Sequence, residues 1–312
     1  MKELENPNLI CGYFGKLPEF GDFIKYNSGN DEILVIDKWI QEGLSLAELK
    51  PKNEREKIYR KSLPFRFFYP FAGTDKLIAG IIFPSQDKSG RNFPFLMFLN
   101  FYKSIFHHVP FCFLPLILNE HLNIFESIFN DSAFRSSQSI LNERINRIHT
   151  YLDIKQAEES YNIFINISLQ RDFWQRIYRD CGKERKYYLV ENIFEPDINY
   201  GTHILKLNFS SDDQNNALDI CFLLDLMAIS KSDIFIPALF WTKNNDNKIL
   251  LYLFPSKPTP INYLDIIYTN NRSDMILKMD EKTESVENSS KIKNLLDKEG
   301  ISLKELIQIL KH

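Results

Sequence analysis

Short runs of Ile, Phe and Leu broken by Gly and Pro dominate the first hundred positions of the chain, and helical spacing becomes frequent after them. The apolar stretch around Tyr13 and Phe14 reads as a short strand that stops at a turn containing Pro18. Gly21 there supplies a backbone angle that other residues resist. Ile33, Ile36, Ile40 and Leu44 fall on one face of a helix for which Asn30 or Asp31 is the N-cap. "FRFFY", "KLIAGIIF" and "FPFLMFLNFY" read as three strands, the last two forming a hairpin around "PSQDKSGRN". Leu114, Ile117, Leu118, Leu122, Phe125 and Phe129 keep helical spacing, with Pro115 suited to a first turn. A further helix is predicted from about 138 to 155 on Leu141, Ile145, Ile148 and Leu152.

Strict alternation of Tyr161, Ile163, Ile165, Ile167 and Leu169 predicts a strand, and "RDFWQRIYRDC" returns to helical period. "KYYLVENIF" and "HILKLNF" predict strands, whereas "SSDDQNNALDICFLLDLMA" predicts a helix with Ser or Asp at its start. A hairpin turning through Asn244 to Asn247 and a helix in "PTPINYLDIIY" follow. Interleaved strands and helices with antiparallel hairpins predict an α/β fold: a layered sandwich with a mixed sheet and helices on its faces. Four regions are expected: a tail over 1–9, the α/β domain over 10–272, a polar linker over 273–290, and a short amphipathic helical tail over 291–312. In that tail Ser302 and Glu305 fit a capping box.

Charge removes one class of function. With 38 basic against 41 acidic residues and a pI near 6.1, the chain lacks the basic footprint that nucleic-acid binding needs, so no nucleic-acid partner is expected. "MKELENPNLI" lacks the features of a secretory signal, and the apolar run from Val109 to Leu118 is interrupted by Pro110 and Pro115. It is far shorter than the roughly 20 residues of a membrane span. No membrane insertion and a cytoplasmic location are therefore expected. Cys11, Cys112, Cys181 and Cys221 stand far apart among apolar neighbours, which suits reduced core thiols.

The stretch "GYFGKLPEFGDF" invites comparison with a phosphate-binding loop, but Lys16 is followed by Leu17 and Pro18, leaving no hydroxyl for a metal. Gly12, Gly15 and Gly21 do not fit G-x-G-x-x-G either. No nucleophile, hydrolase or zinc motif is present, adjacent His107 and His108 on a strand would point to opposite faces, and His121, His149 and His203 stand alone. The expectation is no catalytic residue, no metal and no cofactor. An enzyme site assembled from distant residues such as Asp22, Arg91 and a lone histidine stays open as an alternative. The loop "PSQDKSGRN" gathers Asp87, Lys88 and Arg91 around Gly90 between two apolar strands. It is either a solvated tip with Asp87 and Arg91 paired, or a recognition loop on rigid strands.

"GYFGKLPEFGDF", "AGIIFPSQDKSGRNFP", "PALFWTKN" and "YLFPSKPTPINYLDIIY" together resemble the TagF family, also called ImpM, of type VI secretion-associated proteins. The resemblance runs from about 10 to 270 and departs at Phe20, where many relatives carry a basic residue. It implies a cytoplasmic, non-enzymatic regulator that restrains assembly of the secretion apparatus after translation by binding the forkhead-associated scaffold protein, Fha. A structural accessory of the same apparatus is the alternative. The two motif blocks mark Lys16, Asp22, Asp87 and Arg91 as candidate partner-binding residues.

Overall fold

The computed structural model describes residues 9–106, 109–149, 151–178, 184–194, 204–211, 216–229, 237–244, 246–254, 256–267, 276–279 and 290–311. Strands β1 (Ile10–Gly15), β2 (Ile24–Tyr26), β3 (Phe65–Pro70), β4 (Lys76–Phe83), β5 (Phe95–Tyr102), β6 (Ile204–Ser210), β7 (Ala238–Lys243), β8 (Lys248–Phe254) and β9 (Ile276–Lys278) form one sheet. Its order is β2-β1-β5-β4-β3-β7-β8-β6-β9. All neighbours are antiparallel except β6 and β9, so the sheet is mixed, as expected from the pattern. Phe68 of β3 pairs with Leu239 of β7, which joins the two halves of the chain in one ladder.

Both faces of the sheet are buried, because the strands are apolar at successive positions rather than alternate ones. On β4, Leu77, Ala79, Ile81 and Phe83 enter one core while Ile78 and Ile82 enter the other. The smaller core lies under helices α1 (Asp31–Ala47) and α11 (Pro260–Ile267). Asn30 caps α1 by accepting from the Ile33 N–H, and Trp39 of that helix donates its indole N–H to the Thr259 carbonyl at 2.8 Å. Between them in sequence, α2 (Lys52–Lys61) sets Tyr59 against the Ser85 carbonyl at 2.9 Å. The larger core is covered by α3 (Leu114–Ile117), α4 (Asn119–Asn130), α5 (Ser132–Arg135), α6 (Gln138–Asn146), α7 (Ile154–Ile167), α8 (Gln170–Tyr178), α9 (Arg185–Phe194), α10 (Asn216–Ile229), α12 (Ser290–Leu296) and α13 (Leu303–Leu310).

Several elements differ from the expectation. Residues 161–167 are helical, not a strand: α7 buries Ala157, Tyr161, Phe164 and Ile165 and leaves Ile163 and Ile167 exposed. That spacing, with Asp153 accepting from the Gln156 N–H as cap, is helical, and packing overrides the β-branched alternation. Residues 185–194 are likewise a helix, burying Leu189, Val190 and Ile193. The predicted helix over 138–155 ends at Asn146, and Ile148 and Leu152 reach the core from the connection to α7. The 114–129 helix divides at Leu118 into α3 and α4.

The C-terminal segment is also more integrated than a linker and tail. β9 lies inside the expected 273–290 linker and adds a parallel strand, with Met279 buried and its carbonyl accepting from Asn192 Nδ2 at 2.8 Å. Leu303, Leu306 and Ile307 of α13 are buried in the larger core. Ser302 and Glu305 form the expected capping box. Cys11, Cys112 and Cys221 are buried free thiols, whose pKa burial raises; Cys181 lies outside the described residues.

Candidate partner-binding corner

β1 ends at Gly15, whose φ of +131° is open to glycine and strained for any other residue. A Cβ there would also stand 2.2 Å from the Pro94 carbonyl oxygen. This close approach turns the chain inward, so that Lys16 and Leu17 are buried next to the start of β5. Lys16 Nζ then donates to Asp87 Oδ2 at 2.9 Å across the base of the β4–β5 hairpin.

Asp87 is the centre of the corner and only 1% exposed. Its Oδ1 accepts from the Ser89 N–H (2.9 Å), Ser89 Oγ (2.7 Å) and the Arg91 N–H (3.0 Å), and its Oδ2 also accepts from Arg91 Nε at 2.6 Å. Desolvation pushes the carboxyl pKa up, but the bonds from Ser89, Lys16 and Arg91 outweigh it and hold the group well below the usual carboxylate range. Gly90, with φ of +84°, completes the tip. The Asp87–Arg91 pairing expected for a solvated tip is present, yet its carboxylate end is buried.

Two bonds lock this hairpin to the opening turn. Arg91 Nη2 donates to the Gly21 carbonyl at 2.9 Å, and the Lys88 N–H donates to the Phe20 carbonyl at 2.8 Å. The turn is held from its other side as well, where Arg135 pairs with Glu19 at 3.0 Å and Tyr26 donates to Asn146 Oδ1 at 2.9 Å. Gly21 itself has no positive φ, and a Cβ there would meet nothing within 4 Å. The expected special angle belongs instead to Gly15, where the backbone has to approach another strand.

Lys16 and Asp87 therefore face inward and are engaged with each other, whereas Asp22 and Arg91 reach the surface. Asp22 Oδ1 accepts from the Phe23 N–H at 2.8 Å and orients that aromatic. Phe23 is 47% exposed, packed edge-on against Phe93 at 4.8 Å and 5.0 Å from the Lys16 ammonium. The sequence reading passed over Phe23, although an aromatic directly after a Gly-Asp turn is a signal for a displayed ring. The outward surface is thus Phe23, Lys88 and Arg91 on a braced pair of loops.

Nothing at this corner has the geometry of acid–base or nucleophilic chemistry. Elsewhere, His121 is buried, its Nε2 lies 3.0 Å from the His149 carbonyl, and burial lowers its pKa. His107, His108 and His203 lie outside the described residues. Among the described residues, no three His, Cys, Asp or Glu side chains are grouped to hold a metal ion.

Residues 12–146, from β1 to the end of α6 and including both loops, match the family model described as the TagF N-terminal domain, type VI secretion system-associated. This part of the chain is similar to the TagF N-terminal domain. The matched span encloses every residue of the Asp87 corner. The crystal structure of PA0076 from Pseudomonas aeruginosa PAO1 is similar over 44% of this chain and 61% of that one, with 19% identity and a TM-score of 0.38. The chain therefore spans less than two thirds of that protein's length. No curated protein matches it.

Proposed function

We propose that this chain is a regulatory interaction protein of a type VI secretion system, acting in the cytoplasm and not as an enzyme. In this reading it restrains assembly after translation by binding the forkhead-associated scaffold protein. The observation that carries it is the locked pair of loops in the TagF-like part of the chain, which presents Phe23, Lys88 and Arg91 outward over the bonded Asp87 carboxylate. Exposed aromatic and Arg side chains held on a rigid base are the residue types that anchor interfaces, because little side-chain freedom remains to be lost on binding.

The same geometry selects the variants. Reversing Arg91 would place a carboxylate beside buried Asp87 and disturb folding, whereas Lys88→Glu changes only an exposed side chain and Phe23→Ala leaves every bond to Asp87 in place. Binding of the scaffold protein from the same secretion cluster, measured by calorimetry on folded protein, is expected to weaken about thirtyfold for Phe23→Ala and to weaken for Lys88→Glu with an unchanged melting temperature. Full-strength binding by both variants would remove this surface from the interface. Absence of scaffold binding by the unaltered chain would overturn the reading itself.

A further inference from the structure

Phe23 stands where positive charge gathers. Its ring packs edge-on against Phe93 at 4.8 Å, and Phe93 lies 6.3 Å from Phe14, which puts the three rings on the side of the sheet that holds the smaller core. Lys25 of β2 shares that side, because it is paired in register with Phe14 while the preceding Ile24 enters the larger core. The hairpin tip adds two cations. The Lys88 N–H is bonded to the Phe20 carbonyl and Arg91 Nη2 to the Gly21 carbonyl, which fixes both residues beside the turn that leads to Phe23.

Lys25 and Lys88 are exposed and have no ion-pair partner among the described residues. Lys38, Lys50, Lys52 and Lys155, by contrast, each pair with a Glu four positions on. The Arg91 side chain is 62% exposed, and its bonds to Asp87 and Gly21 use two of the five N–H groups of a guanidinium. Asp22 opposes these cations, while Glu19 is paired with Arg135, and Asp87 with Lys16 and Arg91. A chain with 41 acidic and 38 basic residues thus carries a local excess of positive charge around a displayed aromatic.

We infer that the corner binds an acidic segment with an apolar anchor: its carboxylates face Lys25, Lys88 and Arg91, and its apolar side chain lies on Phe23. A basic segment would meet like charge there, and an acidic one without an apolar group would leave Phe23 in water. This rests on the corner being the binding surface proposed above, and it names what the partner presents to it.

The test titrates the full chain with rhodamine-labelled acetyl-Glu-Asp-Leu-Glu-Phe-Asp-Glu-amide at about 0.05 M and at about 0.3 M sodium chloride. Beside it run a version with Ser in place of Leu and Phe and a version with Lys in place of every acid. The acidic peptide is expected to saturate with a Kd below about 1 mM at the lower salt and to weaken about fivefold at the higher. The Ser version is expected to bind about fivefold more weakly and the Lys version not to saturate. Lys25→Glu and Lys88→Glu are each expected to weaken the acidic peptide about threefold at an unchanged melting temperature, and Lys298→Glu, between α12 and α13, by less than either. The inference is overturned if the acidic peptide does not saturate, if either control version binds as well, or if Lys298→Glu matches the corner variants. Dimerisation of the chain that both corner reversals abolish would overturn it too, by giving the corner to a second copy. Peptide binding without scaffold binding would overturn the proposed function alone. Scaffold binding that Phe23→Ala weakens, but that salt and both reversals leave unchanged, would overturn this inference alone.

Discussion

At the Asp87 corner one carboxylate takes five hydrogen bonds from Lys16, Ser89 and Arg91, whereas the buried Tyr69 hydroxyl of β3 makes none among the described residues. Both groups are almost wholly excluded from water and both stand at the ends of strands in the same sheet. The contrast separates two uses of a buried polar group. Where every lone pair and proton is engaged, the group is a brace, and function belongs to what the brace displays. Where bonding capacity is left over in the core, the group costs desolvation without a compensating bond.

The largest effect is expected from the backbone feature that creates the brace. Gly15→Ala combines a positive φ with a Cβ placed 2.2 Å from the Pro94 carbonyl oxygen, so β1 and β5 have to separate or the turn has to rearrange. A loss of about 3 kcal/mol in urea unfolding is expected. An unchanged midpoint would show that this corner is not held by strand proximity at all.

Next comes Lys16→Met, which keeps the apolar stem and removes the ammonium next to a carboxylate. Breaking a buried pair from one side costs about 3–5 kcal/mol, and because Arg91 and Ser89 remain on Asp87 the expected loss is about 2 kcal/mol. Pairing Lys16→Met with Asp87→Asn should lose less than the two single losses added together. Strict additivity would mean that the two side chains are not coupled.

Acid titration sharpens the same comparison through sign. The Asp87 carboxyl is held below its usual value, so its stabilisation is present above the unfolded pKa of about 4 and is lost as pH falls toward the folded value. Asp225, which accepts from the Tyr161 hydroxyl at 2.8 Å, runs the other way. Burial raises its pKa in spite of that bond, so its stabilisation is present at low pH and fades as pH rises through the raised value. Urea midpoints taken from about pH 7 down to about pH 3 should fall less steeply for Asp87→Asn than for the unaltered chain. Parallel curves would leave Asp87 without its assigned role.

The sheet was legible in the sequence because β3, β4, β5, β7 and β8 are short, saturated with Ile, Leu and Phe, and bounded by turn residues. The α7 region was not, because Ile163 and Ile167 are apolar yet exposed, so the visible alternation did not report the buried face. β9 was hidden by its brevity: three residues in a polar stretch carry no period, and their place is decided by the β6 edge. At the Asp87 corner the residue types were visible and their direction was not. Whether Lys16 points to solvent or to Asp87 depends on the turn at Gly15, and strand-to-strand distance leaves no local mark in sequence. The surplus at Tyr69 left no signal, since an aromatic in "FRFFY" reads as core, which it is, and its hydroxyl is in excess only after the fold is complete.

The smallest expected effect comes from making one substitution, Tyr→Phe, at two buried tyrosines. Tyr59 of α2 is 6% exposed, donates to the Ser85 carbonyl at 2.9 Å and accepts from the Ser85 N–H at 3.3 Å. Tyr59→Phe leaves both backbone groups without that partner beneath the hairpin, and a loss of about 1 kcal/mol is expected. Tyr69→Phe strands nothing among the described residues, where its hydroxyl has no partner, and removing a desolvated, unbonded oxygen should leave stability unchanged or raise it by up to about 1 kcal/mol. Ring packing is preserved in both variants, including the contact of Tyr69 with Phe71 at 5.0 Å, so the difference in unfolding free energy reads the hydroxyls alone. Equal losses at the two sites would mean that Tyr69 is bonded in solution, and the distinction between brace and surplus would fail at the point where it is easiest to measure.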